Sequence, residues 1–301
     1  MATRADIEST YDYMDEILRL SLGEAADISG AFYDGDFTKS LEQAQAEKHA
    51  YMLQSLRFRV GHRLLDVGCG WGGFLEAVRA GGGRGVGLTL SAAQTRACRR
   101  RGHEVHLLDW RNAEPAALGE FDGVVSVGAF EHFVAEEDHL SGRQERIYHD
   151  FFGFCRRLLP PRGRMYLQTM TWGRYVPDPR TISLAARPGS DEYLLAVLRC
   201  FYPGSWLPSG SDQIRIAAEP FFEVVSANSG RLDYIETMTQ WGSRLGAFRL
   251  AKLPAFARLV GWYLRDPNAR RRIESLRGSY NRECFRRQVM DHQRIVLEVR
   301  P

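Results

Sequence analysis

The sequence lacks the features that mark several large classes of protein. Its five cysteines are widely spaced and include no Cys-x-x-Cys pair, which indicates neither a disulfide framework nor a zinc site. No apolar signal core follows Met1. The longest apolar-rich run, Leu253 to Leu264, is interrupted by Pro254 and Arg258 and is too short to span a bilayer. We therefore expect a cytoplasmic protein with reduced thiols and no bound metal.

A large net charge is also missing, although charge is unevenly distributed. Lys and Arg number 40 against 37 Asp and Glu, and 44% of the 301 residues are apolar, as in an ordinary globular protein. Between Arg244 and Arg300 there are 14 basic and 5 acidic residues. This basic part leaves open a function of another class, a module that binds an anionic membrane surface. Nucleic acid is not expected as a partner, because no RNA-binding motif accompanies the arginines. The oligomeric state is not indicated.

The most informative segment that is present runs from Leu64 to Gly73. An apolar run that ends in Asp66 is followed at once by glycines at positions 68, 70, 72 and 73. This pattern is typical of a parallel strand that breaks into a tight turn, so that a nucleotide-like cofactor lies against bare backbone. Dinucleotide and S-adenosylmethionine sites share this spacing, and the turn alone does not distinguish them.

Strand-like and helix-like segments alternate from residue 62 onward, which predicts a doubly wound α/β sheet. The expected strands are Arg63–Val67, Gly85–Thr89, Glu104–Leu108, Phe121–Val127, Arg164–Thr169, Phe221–Ser226 and Arg294–Val299. We expect four parts: an N-terminal helical segment that closes over the cofactor, a cofactor-binding core, a lid insertion, and a C-terminal part that completes the sheet with basic helices. They cover residues 1–57, 58–170, 171–215 and 216–301, respectively.

The second strand decides between the two kinds of cofactor. In a dinucleotide enzyme this strand should end in an acidic residue that binds a ribose hydroxyl. Here it ends in Gly87 to Ser91, which contains no acid. This favours a methyltransferase that uses S-adenosylmethionine, with the methionine part of the cofactor on the glycine turn.

Motifs along nearly the whole chain resemble the family of cyclopropane fatty acid synthases and mycolic acid methyltransferases. The matching segments are Tyr11–Asp12, Ser29–Tyr33, Leu65–Gly72, Gly87–Ser91 with Gln94, Val127–Phe133, Tyr148–Phe152, Pro203–Pro208 and Tyr234–Trp241. The resemblance implies a Rossmann-like class I methyltransferase fold. In that fold a mixed seven-stranded sheet carries helices on both faces, and N-terminal helices and an inserted helical lid are added to it.

The resemblance also implies which residues surround S-adenosylmethionine. Trp110 would face the adenine, although a role as a core aromatic residue remains open for it. The expected set is Ile28, Ser29, Asp66, Gly68, Gly70, Gly72, Thr89, Leu90, Gln94, Trp110 and Arg111.

In the resembling family, a bicarbonate ion near the methyl group takes a proton from the substrate. Its holders are a glutamate, a tyrosine, a histidine and the backbone around two cysteines. Glu131 and Tyr234 match the first two and are the expected catalytic residues. His132 is not included, because the side chain next to Glu131 is expected to point elsewhere.

At the other three holder positions this chain departs from the family. It has Gly30 and Asn281 in place of the cysteines and Gln168 in place of the histidine. A neutral amide supplies no positive charge, so we expect bicarbonate to bind weakly if it binds. With Trp206 of the lid, these three residues are candidates for the substrate or anion pocket.

The resemblance therefore implies an S-adenosylmethionine-dependent methyltransferase. We expect C-methylation of an apolar acceptor, a lipid or a natural-product-like small molecule, because the lid supplies aromatic surface for an apolar pocket. One alternative is cyclopropane synthesis on unsaturated fatty acyl chains. Another is N-methylation of a small amine, with Glu131 holding the ammonium group. The attacked atom cannot be read from the sequence.

Overall fold

The computed structural model describes residues 22, 27–202, 204–247, 253–265, 267, 270 and 279–301. The helix expected over Ser9 to Leu22 lies outside the described residues except for Leu22. The motif residues Tyr11 and Asp12, and Pro203 of the lid, lie outside them as well.

Seven strands form one sheet in the order β3-β2-β1-β4-β5-β7-β6. Neighbours from β3 to β5 run parallel, whereas β7 is antiparallel to both β5 and β6. The expected mixed seven-stranded sheet is thus confirmed. The strands are β1 Arg63–Val67, β2 Arg84–Thr89, β3 Glu104–Leu107, β4 Gly123–Val127, β5 Arg164–Trp172, β6 Phe222–Ser229 and β7 Met290–Val299.

Helices cover both faces of this sheet. In the described part of the chain they are α1 Leu41–Ser55, α2 Gly73–Ala80, α3 Ala92–Arg100, α4 Pro115–Leu118, α5 Glu136–Leu140, α6 Gln144–Leu158, α7 Asp191–Phe201, α8 Ser211–Ala218, α9 Arg231–Gly246, α10 Leu253–Arg265 and α11 Tyr280–Arg286. Helix α1 starts at a capping box, in which the Ser40 side chain accepts from the Gln43 N–H and the Gln43 side chain accepts from the Ser40 N–H. None of the described helices is long and apolar enough to cross a bilayer.

The alternation of side chains along the strands divides the core between the two faces. Leu65 and Leu167 pack on one side with the aromatic residues of α6. Their neighbours Leu64 and Tyr166 point to the other side, where they meet Met52 of α1 and residues of α2. This is the two-residue period of a sheet that is buried on both faces. Such a sheet holds the strand ends, and the loops that follow them, in fixed positions.

Strands β5 and β7 are longer than expected, and their extra residues matter for the site. Strand β7 was expected from Arg294 but begins at Met290, and β5 continues past Thr169 to Trp172. The polar stretch that precedes Arg294 is buried in the extended ladder, in which His292 pairs with Met170. The polar residues of this stretch predict a loop. The stretch is a strand because it pairs with β5.

The expected lid segment 171–215 begins with the last two residues of β5 and contains α7. It also contains the start of α8, which the sequence did not predict. The division of the chain into four parts stays a prediction.

Candidate active site

A cavity of about 460 Å³ lies at the carboxyl ends of β1, β2 and β4. Open α/β sheets bind their ligands at this edge. Ten of the eleven residues expected around the cofactor line it: Ile28, Ser29, Asp66, Gly68, Gly70, Thr89, Leu90, Gln94, Trp110 and Arg111. Gly72 does not line it but caps the N-terminus of α2, and Gly73 lines it instead.

The turn after β1 presents bare backbone to this cavity. Gly68 and Gly70 have φ angles of 92° and 52°, in the left-handed region that favours glycine. A Cβ on Gly68 would lie 2.3 Å from the Cβ of Ala129, so the approach of the β4 loop also requires glycine there. A Cβ on Gly70 would meet no described atom within 4 Å, because it would point into open space beside the cavity.

Asp66, at the cavity wall, is a buried carboxyl group with an unsatisfied atom. It is 4% exposed, and its Oδ1 has no hydrogen-bond partner among the described residues. Burial, helped by the nearby Asp27 carboxylate, raises the pKa of Asp66 to about 8. A ligand that brings N–H donors or positive charge would satisfy this group. S-adenosylmethionine carries both, so the residues present fit this cofactor.

Polar residues after β2 are joined into a small network. The Thr89 hydroxyl donates to the Gln94 side-chain carbonyl at 2.7 Å, and the Gln94 N–H donates to the Ser91 hydroxyl at 3.2 Å. These bonds fix the start of α3 at the place where a dinucleotide enzyme would have its acidic residue.

Trp110 lies both at the cavity and in the core, and its expected contact with the adenine stays a prediction. It lines the cavity, and its ring also packs at 5.1 Å from the ring of Phe151 in the main core. The guanidinium of Arg111 lies 4.9 Å from the Trp110 ring centre and donates a hydrogen bond to the backbone carbonyl of Phe133. Both side chains line the cavity, where the Arg111 guanidinium is also ion-paired with Asp109 at 3.2 Å.

A buried ion pair that sequence reasoning missed also lines this cavity. Lys48 is 1% exposed, and its Nζ lies 2.5 Å from the Asp27 carboxylate and donates to the Ser29 hydroxyl at 2.6 Å. Burial alone would raise the pKa of Asp27, but the Lys48 ammonium and the His49 ring hold it well below its usual range. A signal was present, because Leu41, Ala44, Lys48 and Met52 form the buried stripe of α1.

A second, smaller cavity of about 60 Å³ lies beside Glu131. Most of its wall is apolar and comes from the lid and β5, with Trp172, Ile182 and Leu195 among its residues. Trp206 lines it and is 1% exposed, with its ring 5.0 Å from that of Trp172.

Glu131 is the carboxyl group of this second cavity. It is 2% exposed and accepts hydrogen bonds from the Thr169 hydroxyl at 3.0 Å and from the Met170 N–H at 3.3 Å. Burial raises the pKa of Glu131 to about 7, against the lowering effect of these hydrogen bonds. Its protonated and ionised forms are therefore both populated near neutral pH.

His132 lines both cavities, contrary to the expectation that its side chain points away from the site. Its Nδ1 lies 2.8 Å from the hydroxyl of Ser205 in the lid, and burial lowers the pKa of the ring to about 4. The segment Phe130–His132 is a short 3₁₀ turn, and this geometry presents two successive side chains to the site. In a strand the side chains of neighbouring residues would point to opposite sides, so His132 is not expected at the site if the segment is taken as a strand.

The positions that would hold bicarbonate do not form one pocket. Asn281 lines the cavity of Glu131, but among the described residues Gly30, Gln168 and Tyr234 line neither cavity. Gln168 is 1% exposed; its amide donates to the Gly30 carbonyl at 2.8 Å, and its carbonyl accepts from the Tyr166 hydroxyl. With these groups committed to protein partners, the residues present do not fit a bound bicarbonate.

Comparison with known proteins decides the family. The sequence profile of the mycolic acid cyclopropane synthetase family matches residues 1–259. The chain belongs to this family. It is 31% identical over 251 residues to cyclopropane mycolic acid synthase 3 of Mycobacterium tuberculosis, covering 80% of this chain and 82% of the relative. The hydroxymycolate synthase MmaA4 of the same species is also 31% identical over 251 residues, covering 80% of this chain and 77% of MmaA4.

The fold agrees with this assignment. The solved structure of mycolic acid cyclopropane synthase CmaA1, complexed with SAH and CTAB, superposes with a TM-score of 0.75 at 29% identity and covers 98% of both chains. The protein is therefore an S-adenosylmethionine-dependent methyltransferase of the cyclopropane synthase family, with S-adenosylmethionine as its cofactor.

Proposed function

We propose that the protein transfers a methyl group to an alkene carbon of a lipid acyl chain and closes a cyclopropane ring. The sequence alone favours C-methylation of an apolar acceptor and has cyclopropane synthesis as an alternative. The names of the relatives, cyclopropane mycolic acid synthases, support cyclopropane synthesis instead. The observation that carries the proposal is a buried carboxyl group with a pKa near 7 in the wall of an apolar cavity.

On this proposal the larger cavity holds the cofactor, which when bound supplies an electrophilic methyl group on sulfur. The backbone of Gly68 and Gly70 would hold its methionine part, and Asp66 would interact with its positively charged groups. Thr89 and Gln94 would hold the ribose, with Ile28, Ser29 and Leu90 around them. Trp110 and Arg111 would hold the adenine, since both line this cavity.

Glu131 is the proposed catalytic residue on the acceptor side. Attack of an alkene on a methyl group leaves a carbocation, and ring closure requires the loss of one proton. The ionised carboxylate stabilises nearby positive charge, and its raised pKa makes it a proton acceptor near neutral pH. Tyr234 is the second proposed catalytic residue, on the family resemblance.

The proposal is tested with labelled methyl donor and lipid vesicles. The protein is incubated with S-adenosylmethionine labelled in the methyl group and with vesicles whose acyl chains are either unsaturated or saturated. We expect label in the unsaturated lipid and none in its saturated counterpart, because only the alkene is nucleophilic. Equal labelling of both lipids, or labelling of added small amines alone, would contradict the proposed acceptor.

A second candidate is methylation of the same alkene without ring closure. It is favoured by the replacement of three bicarbonate-site residues by Gly30, Gln168 and Asn281. Both reactions remove one proton, but from different carbons: ring closure takes it from the transferred methyl, whereas methylation takes it from the acyl chain.

A further inference from the structure

One buried histidine, His292, belongs neither to the family motifs nor to the expected bicarbonate positions. His292 lies on β7 opposite Met170 of β5, two residues from Arg294, which pairs with Gln168. Directly paired residues share a face of the sheet, so His292 faces the same side as Gln168. It is 3% exposed and packs where the sequence departs from its relatives, beside Gly30.

Two glycines make the slot that this ring occupies. A Cβ on Gly30 would lie 2.8 Å from Cε1 of His292, and a Cβ on Gly230 would lie 2.7 Å from its Nδ1. Neither glycine has a positive φ, so their backbone conformations are open to any residue. What requires glycine at position 30 is therefore the imidazole ring, together with the Tyr234 ring, which is 3.0 Å from the same Cβ position.

The ring of His292 in turn sets the orientation of Tyr234. The two rings are stacked, with centroids 4.8 Å apart and planes inclined by 20°. The edge of Phe285 meets Tyr234 from another direction at 4.9 Å. Trp241 is a second perpendicular neighbour, with its ring centroid 6.0 Å from that of Tyr234. His292 is therefore the stacked neighbour among three rings that limit the rotation of Tyr234.

Charge around His292 favours its neutral form. Arg294 is ion-paired with Asp233 at 2.7 Å, and Lys48 with Asp27 at 2.5 Å. Burial, with Arg294 and Lys48 adding to it, lowers the pKa of His292 well below its usual range. Its Nδ1 has no hydrogen-bond partner among the described residues. A neutral ring of this kind supplies shape and stacking but no positive charge for an anion.

We propose that His292 is a positioning residue that holds Tyr234 in its working orientation through ring stacking, and that Gly30 is glycine to admit it. The inference rests on the proposed function, in which Tyr234 is catalytic. It explains why the position of the expected cysteine is Gly30, since the His292 ring occupies the space that a side chain at position 30 would need.

The kinetic test compares His292→Ala with His292→Phe in the alkene methylation assay. We expect His292→Ala to lower kcat roughly 10- to 100-fold, the scale of a misplaced catalytic group. The affinity for S-adenosylmethionine should stay unchanged, and His292→Phe, which keeps a neutral stacking ring, should restore most of kcat. Normal kcat in His292→Ala would overturn the proposal. Loss of kcat in His292→Phe as large as in His292→Ala, with both variants folded, would also overturn it, because the imidazole itself would then be needed.

A steric test needs no activity and so separates this inference from the proposed function. Gly30→Ala should lower the free energy of unfolding. The double variant Gly30→Ala with His292→Ala should lose less of this free energy than the two single variants lose together. Gly242→Ala in α9, where a Cβ would meet no described atom within 4 Å, is the matched control. Strictly additive effects in chemical denaturation would show that Gly30 does not serve His292. If instead the coupling is present but no lipid is methylated, the proposed function fails and the packing arrangement stands.

Discussion

The two halves of the active site differ in how closely they follow the family. On the cofactor side, the glycine turn, the polar residues after β2 and Trp110 with Arg111 lie together around one cavity. On the proposed acceptor side, Glu131 lines the second cavity, but Gly30 accepts a hydrogen bond from Gln168 and is packed against His292. The cofactor side is built largely from the loops that follow β1, β2 and β3, whereas the surroundings of Gly30 depend on His292 of β7. The two sides can therefore be tested separately.

The largest predicted effect is a loss of cofactor binding, caused by a substitution on the cofactor side alone. Gly70→Val should weaken S-adenosylmethionine binding by roughly 100-fold or more, about 2.8 kcal/mol, because the new side chain enters the cavity. Calorimetric titration measures it. The control is Gly142→Val, where φ is 72° and a Cβ meets no described atom within 4 Å, outside the cavity lining. Gly142→Val also places a β-branched residue at a positive φ and so causes the same kind of backbone strain. Equal losses of cofactor affinity in both variants would refute the placement of the cofactor.

The next largest effect is a loss of turnover without a loss of cofactor binding, which distinguishes the acceptor side from the cofactor side. Glu131→Gln keeps the shape of the side chain but removes its charge, so turnover should fall by roughly 100-fold or more. Cofactor affinity should change little, since Glu131 does not line the larger cavity. Turnover near that of the unsubstituted protein would remove Glu131 from the reaction. A matching loss of cofactor affinity would show that the two sides are not separate.

The pH dependence of turnover should follow the same carboxyl group. Because burial raises the pKa of Glu131 to about 7, the ionised form is scarce below that pH. Turnover should therefore rise as pH increases through about 7, with a loss of about tenfold for each pH unit below it. The residual activity of Glu131→Gln should lack this step. A profile that falls through the same range would mean that the protonated form is the active one.

The smallest predicted effect is that of added bicarbonate. The rate measured in carbonate-free buffer should stay the same on adding bicarbonate, because Gly30 and Gln168 are committed to protein contacts. Sodium chloride at equal ionic strength is the control. A saturable stimulation by bicarbonate alone would show that the acceptor side keeps the anion site of its relatives.

The sequence predicts more of the cofactor side than of the acceptor side, for a physical reason. The turn after β1 needs glycine for its backbone angles, and such a local requirement is visible in the order of residues. The position of His292 depends instead on how far β5 and β7 pair, which no local pattern states. The role of Lys48 is only partly predictable from the sequence. Its helical spacing places it on the buried stripe of α1, but its partner Asp27 comes from a separate loop.

The most direct test of the central claim counts the deuterium atoms that reach the product. With S-adenosylmethionine deuterated in the methyl group and an unsaturated lipid as acceptor, ring closure removes one deuterium from the transferred carbon. We predict a product with two deuterium atoms and no alkene, measured by mass spectrometry and proton NMR. A product that retains all three deuterium atoms on a methyl branch would contradict cyclopropane formation and establish methylation without ring closure.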